Sequence, residues 1–343
     1  MMGSSCLPPK VAALDSGFEV ALQKARRGDI DLASAIVLFE GAVRKERMLQ
    51  LFAEASKVRD ESLGRTLSLT AHIHMVTSCE VSPACKYCSL SSGIATVQNE
   101  RARLPKKALV KAVRYATDRG VQSIVLVGGT NSKGSDEEVR EVVETVRSVS
   151  DVDLGLDVGP SLSEDTLEWL KGRNAGTVYC SIETSNPAAF RRAKPGDSLE
   201  DRIRFDRTLE HHGMRHGNVV MNGLGSAKDL LGSILFLRPF RRLAYLYIST
   251  FHPVPGTPYA KRHPASLMTS LKALAIARFV FPKVHLGLAE VEVEDPGSAA
   301  RTSSQLRAGG GNTFAGILIY RNRRVDYLEQ IKNEAREADF LAA

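Results

Sequence analysis

The chain has 343 residues, 43% of them hydrophobic, enough for a large core, and 46 Lys plus Arg against 39 Asp plus Glu give a formal charge of +7. The surplus is scattered apart from Arg238, Arg241 and Arg242, and no aromatic–basic interleaving accompanies it, which argues against a nucleic-acid partner. Residues 1–17 hold no long apolar segment, so neither a signal peptide nor a membrane span is expected, and the expected location is cytoplasmic.

Residues 18–27 and 32–58 carry apolar side chains at helical spacing, with Asp31 as an N-cap between them. From residue 67 the pattern becomes strand, turn, helix, repeated. Strands are expected at 67–76, 123–127, 152–158, 177–182, 217–221, 243–250, 283–288 and 313–319. Helices are expected at 105–118, 136–149, 163–171, 198–211, 227–237 and 264–279, with a weaker one at 297–307. A polar-faced helix over 325–343 ends the chain. Eight strands alternating with helices predict an α/β fold, a (β/α)8 TIM-type barrel that is closed or nearly closed. Continuous apolar runs such as 124–127 suit a parallel sheet buried on both faces; a doubly wound open sheet is the competing architecture. The expected organisation is a helical extension over 1–63, the barrel over 64–320 and a terminal helix over 321–343.

Three of the five cysteines, Cys79, Cys85 and Cys88, fall within ten residues as C-x5-C-x2-C. Such a cluster points to metal rather than to a disulfide framework. In an α/β barrel the active site lies at the C-terminal ends of the strands, and this loop leaves the first strand at that end. Three thiolates on one loop can hold three irons of a four-iron cluster and leave the fourth open. A zinc site completed by His72 or His74 is the alternative; zinc prefers paired C-x2-C knuckles, and only one such pair is present.

This spacing and placement resemble the radical S-adenosylmethionine (SAM) superfamily, whose usual motif is C-x3-C-x2-C with an aromatic residue before the last cysteine, here Tyr87. The resemblance implies that Cys79, Cys85 and Cys88 ligate one [4Fe–4S] cluster. SAM would chelate the open iron and be cleaved to methionine and a 5′-deoxyadenosyl radical. Gly128, Gly129 and Thr130 resemble the SAM-contacting GGE motif, with threonine in place of the acid. Glu183, in Tyr179-Cys-Ser-Ile-Glu-Thr-Ser185, and Arg202, in Ser198-Leu-Glu-Asp-Arg202, match SAM contacts of the biotin synthase and HydE-like branch, in which methylornithine synthase also falls. Met221 begins a stretch similar to that branch's glycine-rich turn near the adenosyl group. His252, in Phe251-His-Pro-Val-Pro-Gly-Thr-Pro258, lies in a stretch similar to the HPDTP segment of the HydE maturase; it is a candidate to line the substrate pocket, a capping or structural role being equally open. The glycines at 309–311 are expected to serve tight packing, Cys180 to be a small buried residue, and Arg191 and Arg192 to be solvated.

Biotin synthesis is disfavoured, because strands two, five and six carry no cysteines for a second, sulfur-donating cluster. The five-residue first gap resembles HmdB/HcgA, the radical SAM family associated with the iron-guanylylpyridinol (FeGP) cofactor of mono-iron hydrogenase. The implied function is a radical step in building that cofactor. Its implied partners are a small-molecule substrate and an anaerobic reductant such as flavodoxin or ferredoxin. A HydE-like or methylornithine-synthase-like enzyme acting on another small acid is one alternative. A non-catalytic iron–sulfur carrier or scaffold is another, opposed by the SAM-contact stretches.

Overall fold

The computed structural model describes residues 9–90, 103–289, 304, 306, 308–321 and 323–342. Eight parallel strands form its centre: β1 (Thr66–His74), β2 (Ser123–Val127), β3 (Asp153–Asp157), β4 (Thr177–Tyr179), β5 (Arg215–Asn222), β6 (Leu243–Thr250), β7 (His285–Ala289) and β8 (Thr313–Ile319). They pair in the order β7-β6-β5-β4-β3-β2-β1-β8. β9 (Arg324–Asp326) runs antiparallel to β8, and β10 (Leu341–Ala342) is parallel to the start of β1. Among the described residues the fold is therefore a (β/α)8 barrel with one seam, between β7 and β8, where no strand ladder forms.

Asn312 stitches that seam. Its N–H donates to the Leu286 carbonyl at 2.8 Å, and its Oδ1 accepts the Leu286 N–H at 2.9 Å. The strands also approach closely, since a Cβ on Gly287 would lie 2.6 Å from the Thr313 carbonyl oxygen. The Arg278 guanidinium lies beside the seam, fully buried, and donates to the carbonyls of Gly310, Phe281, Pro282 and Val284 and to Asn312 Oδ1. Arg278→Met is expected to destabilise the protein by roughly 3 kcal/mol or more, because several buried acceptors lose their donor at once. A parent-like urea midpoint for that variant would show that water replaces the guanidinium freely.

Among the described residues, ten helices with defined bounds surround or flank the barrel before the tail: α1 (Pro9–Arg26), α2 (Leu32–Gly41), α3 (Lys45–Leu63), α4 (Lys106–Thr117), α5 (Asp136–Arg147), α6 (Glu164–Lys171), α7 (Pro187–Ala193), α8 (Leu199–His211), α9 (Ala227–Phe236) and α10 (Leu267–Val280). Five of them, α2 and α6 to α9, are started by side chains that satisfy their free N–H groups. Ser163 accepts from Thr166 N–H, Asn186 from Ala188 and Ala189, and Ser198 from Asp201. Ser226 and Asp229 form a reciprocal capping box. These caps end the loops that follow β3, β4 and β5, and so fix where the strand-end side chains point. Helices α1 to α3 pack on α9 and α10. Leu22, Phe39, Leu51 and Ala55 share one apolar cluster with Ile234, Leu274 and Phe279.

Three predicted elements differ. The single helix over 32–58 is two helices, since Ala42 already departs from helical geometry and the chain turns at residues 42–44. A Cβ on Gly41 would come within 2.6 Å of the Phe18 ring, so the turn brings α2 hard against α1. The tail is not one helix. Val325 pairs with Leu318 in the sheet, α11 (Leu328–Glu337) follows, and Asp339 at φ 60 ends the helical path before β10. Strand four ends at Tyr179 rather than residue 182, for a reason given below. The helix predicted over 297–307 lies outside the described residues except for 304 and 306. No described helix is long and apolar enough to cross a membrane.

Candidate active site

The cysteine loop leaves β1 through Met75, whose φ of 63 turns the chain at the strand end. It is then strapped to the end of β2: Val76 N–H donates to Val127 O (3.1 Å), Gly129 N–H to Thr77 O (3.2 Å) and Glu80 N–H to Thr130 O (3.0 Å). Two glycines make this approach possible. A Cβ on Gly128 would overlap Thr77 Oγ1, and one on Gly129 would overlap the Cys79 backbone. The wide gap between Cys79 and Cys85 rests on a third glycine, as a Cβ on Gly196 would overlap the Pro83 carbonyl. Lys86 N–H donates to Ala193 O at 2.9 Å, tying the far side of the loop to α7.

All eleven residues singled out for cluster, SAM or substrate line one cavity of about 260 Å³ at the strands' C-terminal ends: Cys79, Cys85, Tyr87, Cys88, Gly128, Gly129, Thr130, Glu183, Arg202, Met221 and His252. Burial pushes the Cys85 thiol up, while Lys194 and Arg202 pull it down, the direction a thiolate ligand requires. Among the described residues, no three or more His, Cys, Asp or Glu side chains are grouped to hold a single metal ion. Thiolates around one tetrahedral zinc stand roughly 3.8 Å apart, given Zn–S bonds of about 2.3 Å. A four-iron cluster places its own metal cage between its ligands, and three thiols from one loop around one cavity are the donor set it takes.

Glu183 reaches the cavity by an interruption of the sheet. The Asn218 side chain inserts between β4 and β5, accepting Ile182 N–H at 3.0 Å and donating to Cys180 O at 3.0 Å. This replaces the strand ladder and ends β4 early. The chain then turns, Glu183 adopts φ 60, and it rejoins β5 through Glu183 N–H to Val219 O (2.9 Å) and Met221 N–H to Glu183 O (2.8 Å). A left-handed conformation at a non-glycine residue in a cavity wall is the kind of strain that clusters at functional sites. Burial raises the Glu183 carboxyl above its usual range, partly offset by Lys194 and Arg202. Its Oε2 is buried without a hydrogen-bond partner.

Arg202 lines the cavity but is largely committed to the protein. Its Nε and Nη2 hold Asp197 bidentately (3.1 Å to Oδ1 and 2.6 Å to Oδ2), Nη1 donates to Ser181 O (2.8 Å), and Nη2 donates to Thr130 Oγ1 (3.0 Å). Thr130, standing where the resemblance expects an acid, thus serves as an acceptor for this guanidinium. Three charged residues the motif reading passed over, Lys194, Asp197 and Asp157, complete the wall. Lys194 Nζ lies 3.2 Å from Asp197 and 3.9 Å from Glu183. Burial and Arg202 disfavour its charge, but Asp197 and Glu183 outweigh them and hold the ammonium above its usual value. Burial would raise Asp197; Lys194 and Arg202 reverse this and lower it to about 2. Asp157, at the end of β3, is raised by burial to about 6, with Glu183 adding to the shift. The basic run 191–194 hinted at Lys194, but only its turn at the end of α7 carries it inward; Arg191 and Arg192 stay exposed.

The remaining lining comes from the barrel interior. His72 and His74 on β1 face the cavity, with Tyr179 and Tyr247 beside them. The Tyr179 ring occupies room that a Cβ on Gly217 would take.

A polar barrel mouth with three cysteines on the β1 loop defines a class. The chain carries a radical SAM domain: the family model of that superfamily matches residues 75–229, from the end of β1 to the first turn of α9. Within it the chain falls in the branch that contains biotin synthase and HydE. It is 27% identical over 263 residues to an uncharacterized Methanocaldococcus jannaschii protein, covering 76% of this chain and 69% of that one. It is also 27% identical over 234 residues to the [FeFe] hydrogenase maturase subunit HydE of Thermotoga maritima, covering 68% of this chain and 65% of the maturase. The solved structure of methylornithine synthase superposes with a TM-score of 0.80 at 19% identity, covering 94% of this chain and 97% of that one, a likeness of fold. The protein is accordingly an enzyme that uses a [4Fe–4S] cluster and SAM to generate a 5′-deoxyadenosyl radical.

Proposed function

We propose that this enzyme carries out a radical step in the assembly of the FeGP cofactor of mono-iron hydrogenase, on a small-molecule substrate and with an electron from flavodoxin or ferredoxin under anaerobic conditions. The observation that carries the reading is the C-x5-C-x2-C spacing. The extra loop length is accommodated by Gly196 against Pro83. When bound, the cluster supplies the electron that cleaves SAM.

The chain's own residues then bind, orient and shield. Cys79, Cys85 and Cys88 hold the cluster. Glu183, with a free carboxylate oxygen, accepts from the SAM amino group. Gly128, Gly129 and Tyr87 shape the approach to the loop, and Met221 packs near the adenosyl group. Arg202 has little donor capacity left, so its part is to hold Thr130, Asp197 and the Ser181 carbonyl in place. Lys194, paired at 3.2 Å and 3.9 Å, is the cation placed to meet the SAM carboxylate. His252 lines the mouth on the substrate side.

Anaerobically reconstituted protein is expected to bind one four-iron cluster per chain and to release 5′-deoxyadenosine from SAM on reduction. In Cys88→Ala that release should fall to background. Persistent cleavage in the variant would remove Cys88 from the ligand set, and twice the iron would reveal a second cluster. For the cofactor assignment, cells of a mono-iron hydrogenase producer lacking this gene should contain no FeGP cofactor, and undiminished cofactor would refute it. A HydE-like or methylornithine-synthase-like reaction on another small acid is the second reading, favoured by the 27% identities to HydE and to 3-methylornithine synthase of Methanosarcina barkeri.

A further inference from the structure

The interior of the barrel carries polar atoms that the cluster and SAM do not use. His72 Nε2 and both ring nitrogens of His74 are buried without a hydrogen-bond partner. Buried polar atoms in native proteins are normally paired, so three orphans on two neighbouring side chains call for an explanation. These residues sit two apart on β1, so both rings face the same side of the sheet. Their centroids are 6.4 Å apart. The rings are held by aromatic neighbours: His74 stacks on Tyr320 at 4.3 Å, and His72 meets Tyr247 edge-on at 6.2 Å. Fixed, unpaired and turned to a cavity, they form a built receptor for hydrogen bonds.

The charges around this receptor say what it takes. Burial lowers His72 to about 4 and His74 to about 3, so both are neutral at pH 7, each offering one donor and one acceptor. The charged lining residues Asp157, Glu183, Lys194, Asp197 and Arg202 act chiefly on one another. Neither imidazole is shifted by any of them; besides burial, His74 feels His72 and then Arg323, both of which disfavour its charged form. Arg323 lies over the Tyr320 ring and lines a different pocket. Val125 and Leu318 flank His72 in the sheet, Tyr247 meets its ring, and Tyr179 lines the same cavity beside Tyr247. A carboxylate or ammonium buried there would meet no opposite charge.

We propose that the space in front of His72 and His74 is the substrate subsite, and that it takes an uncharged, flat small molecule bearing at least two hydrogen-bonding groups, such as a hydroxyl, carbonyl, amide or ring nitrogen. This rests on the radical SAM reading of the cavity and deepens it, and it disfavours a zwitterionic amino acid as substrate. His72 and His74 set specificity and position the molecule.

The test uses full-length, cluster-loaded enzyme with SAM and three ring-matched probes: benzamide, benzoate and benzylammonium. Calorimetric titration should show benzamide binding at least tenfold more tightly than either charged probe. In His72→Leu/His74→Leu its affinity should fall at least tenfold, and the single variants His72→Gln and His74→Gln, which keep a polar end, should lose about threefold each. If the leucine pair does not fold, as judged by near-ultraviolet circular dichroism and iron content, the glutamine variants carry the test. Charged probes binding as well as benzamide, no binding by any probe, or unchanged benzamide affinity in the folded variants would each overturn the subsite. Failure of the parent to cleave SAM would instead count against the function on which it rests.

Discussion

Asp197→Ala should be among the most damaging single substitutions at the site. The carboxylate is buried between Lys194 and Arg202, at 3.2 and 2.6 Å. Removing it leaves two buried cations facing each other, with Glu183 and the more weakly coupled Asp157 as the remaining nearby acids. Breaking a buried pair in this way costs about 3–5 kcal/mol, which urea unfolding at pH 7 would register. The pH dependence has a definite sign. Asp197 is lowered from 3.8 to about 2 on folding. Its contribution is therefore complete above pH ~3.8 and is lost as pH falls towards 2. A shift of this size is worth roughly 2 kcal/mol. The parent should lose that increment between pH 4 and 2, and the alanine variant should not. SAM affinity should fall as well, at least tenfold, since Arg202 and Lys194 lose their common anchor. An alanine variant with the parent's midpoint at neutral pH would show that the two cations are compensated elsewhere.

Gly129→Ala should separate folding from cluster loading. The added methyl would overlap the Cys79 backbone rather than a movable side chain. Either the β2 end or the cysteine loop must shift. The loop is the softer of the two, because the β2 end is paired on both sides. Overpacking of this kind costs typically 1–3 kcal/mol, which a barrel of this size survives. The expected result is a folded protein that holds less than half the parent's iron after reconstitution, with SAM cleavage reduced in proportion. Full iron loading would mean that the strand end yields and that the glycine is not needed by the loop.

The regular part of the architecture was legible because it depends on short-range physics. Continuous apolar runs such as Ile124 to Val127 and capping residues such as Ser163, Ser198 and Ser226 mark where strands and helices begin. The strand-end rule for barrels then brings Cys79, Gly129, Glu183 and Met221 to one mouth although they are far apart in sequence. What was not legible depends on tertiary contact. Asn218 reads as an ordinary polar residue within a strand, yet its side chain ends β4 and sets the turn that aims Glu183. Lys194 and Asp197 look like surface charges until α7 folds them under the loop. Arg202 was expected as a free clamp for a carboxylate; its donors are taken up by partners 5 to 72 residues away in sequence. His72 and His74 read as possible zinc ligands, and only the folded barrel shows that, among the described residues, no group of three or more such donors stands together to hold a single ion.

The cavity is electrically lopsided. Its formal charges come from the β3 and β4 side, on Asp157, Glu183, Lys194, Asp197 and Arg202, while β1 and β6 contribute neutral imidazoles and phenols. A molecule, or a pair of molecules, with one ionic end and one uncharged end therefore has a single favourable way to lie in it. Orientation is decided by solvation before any individual contact is made, much as a keyed plug enters its socket one way round.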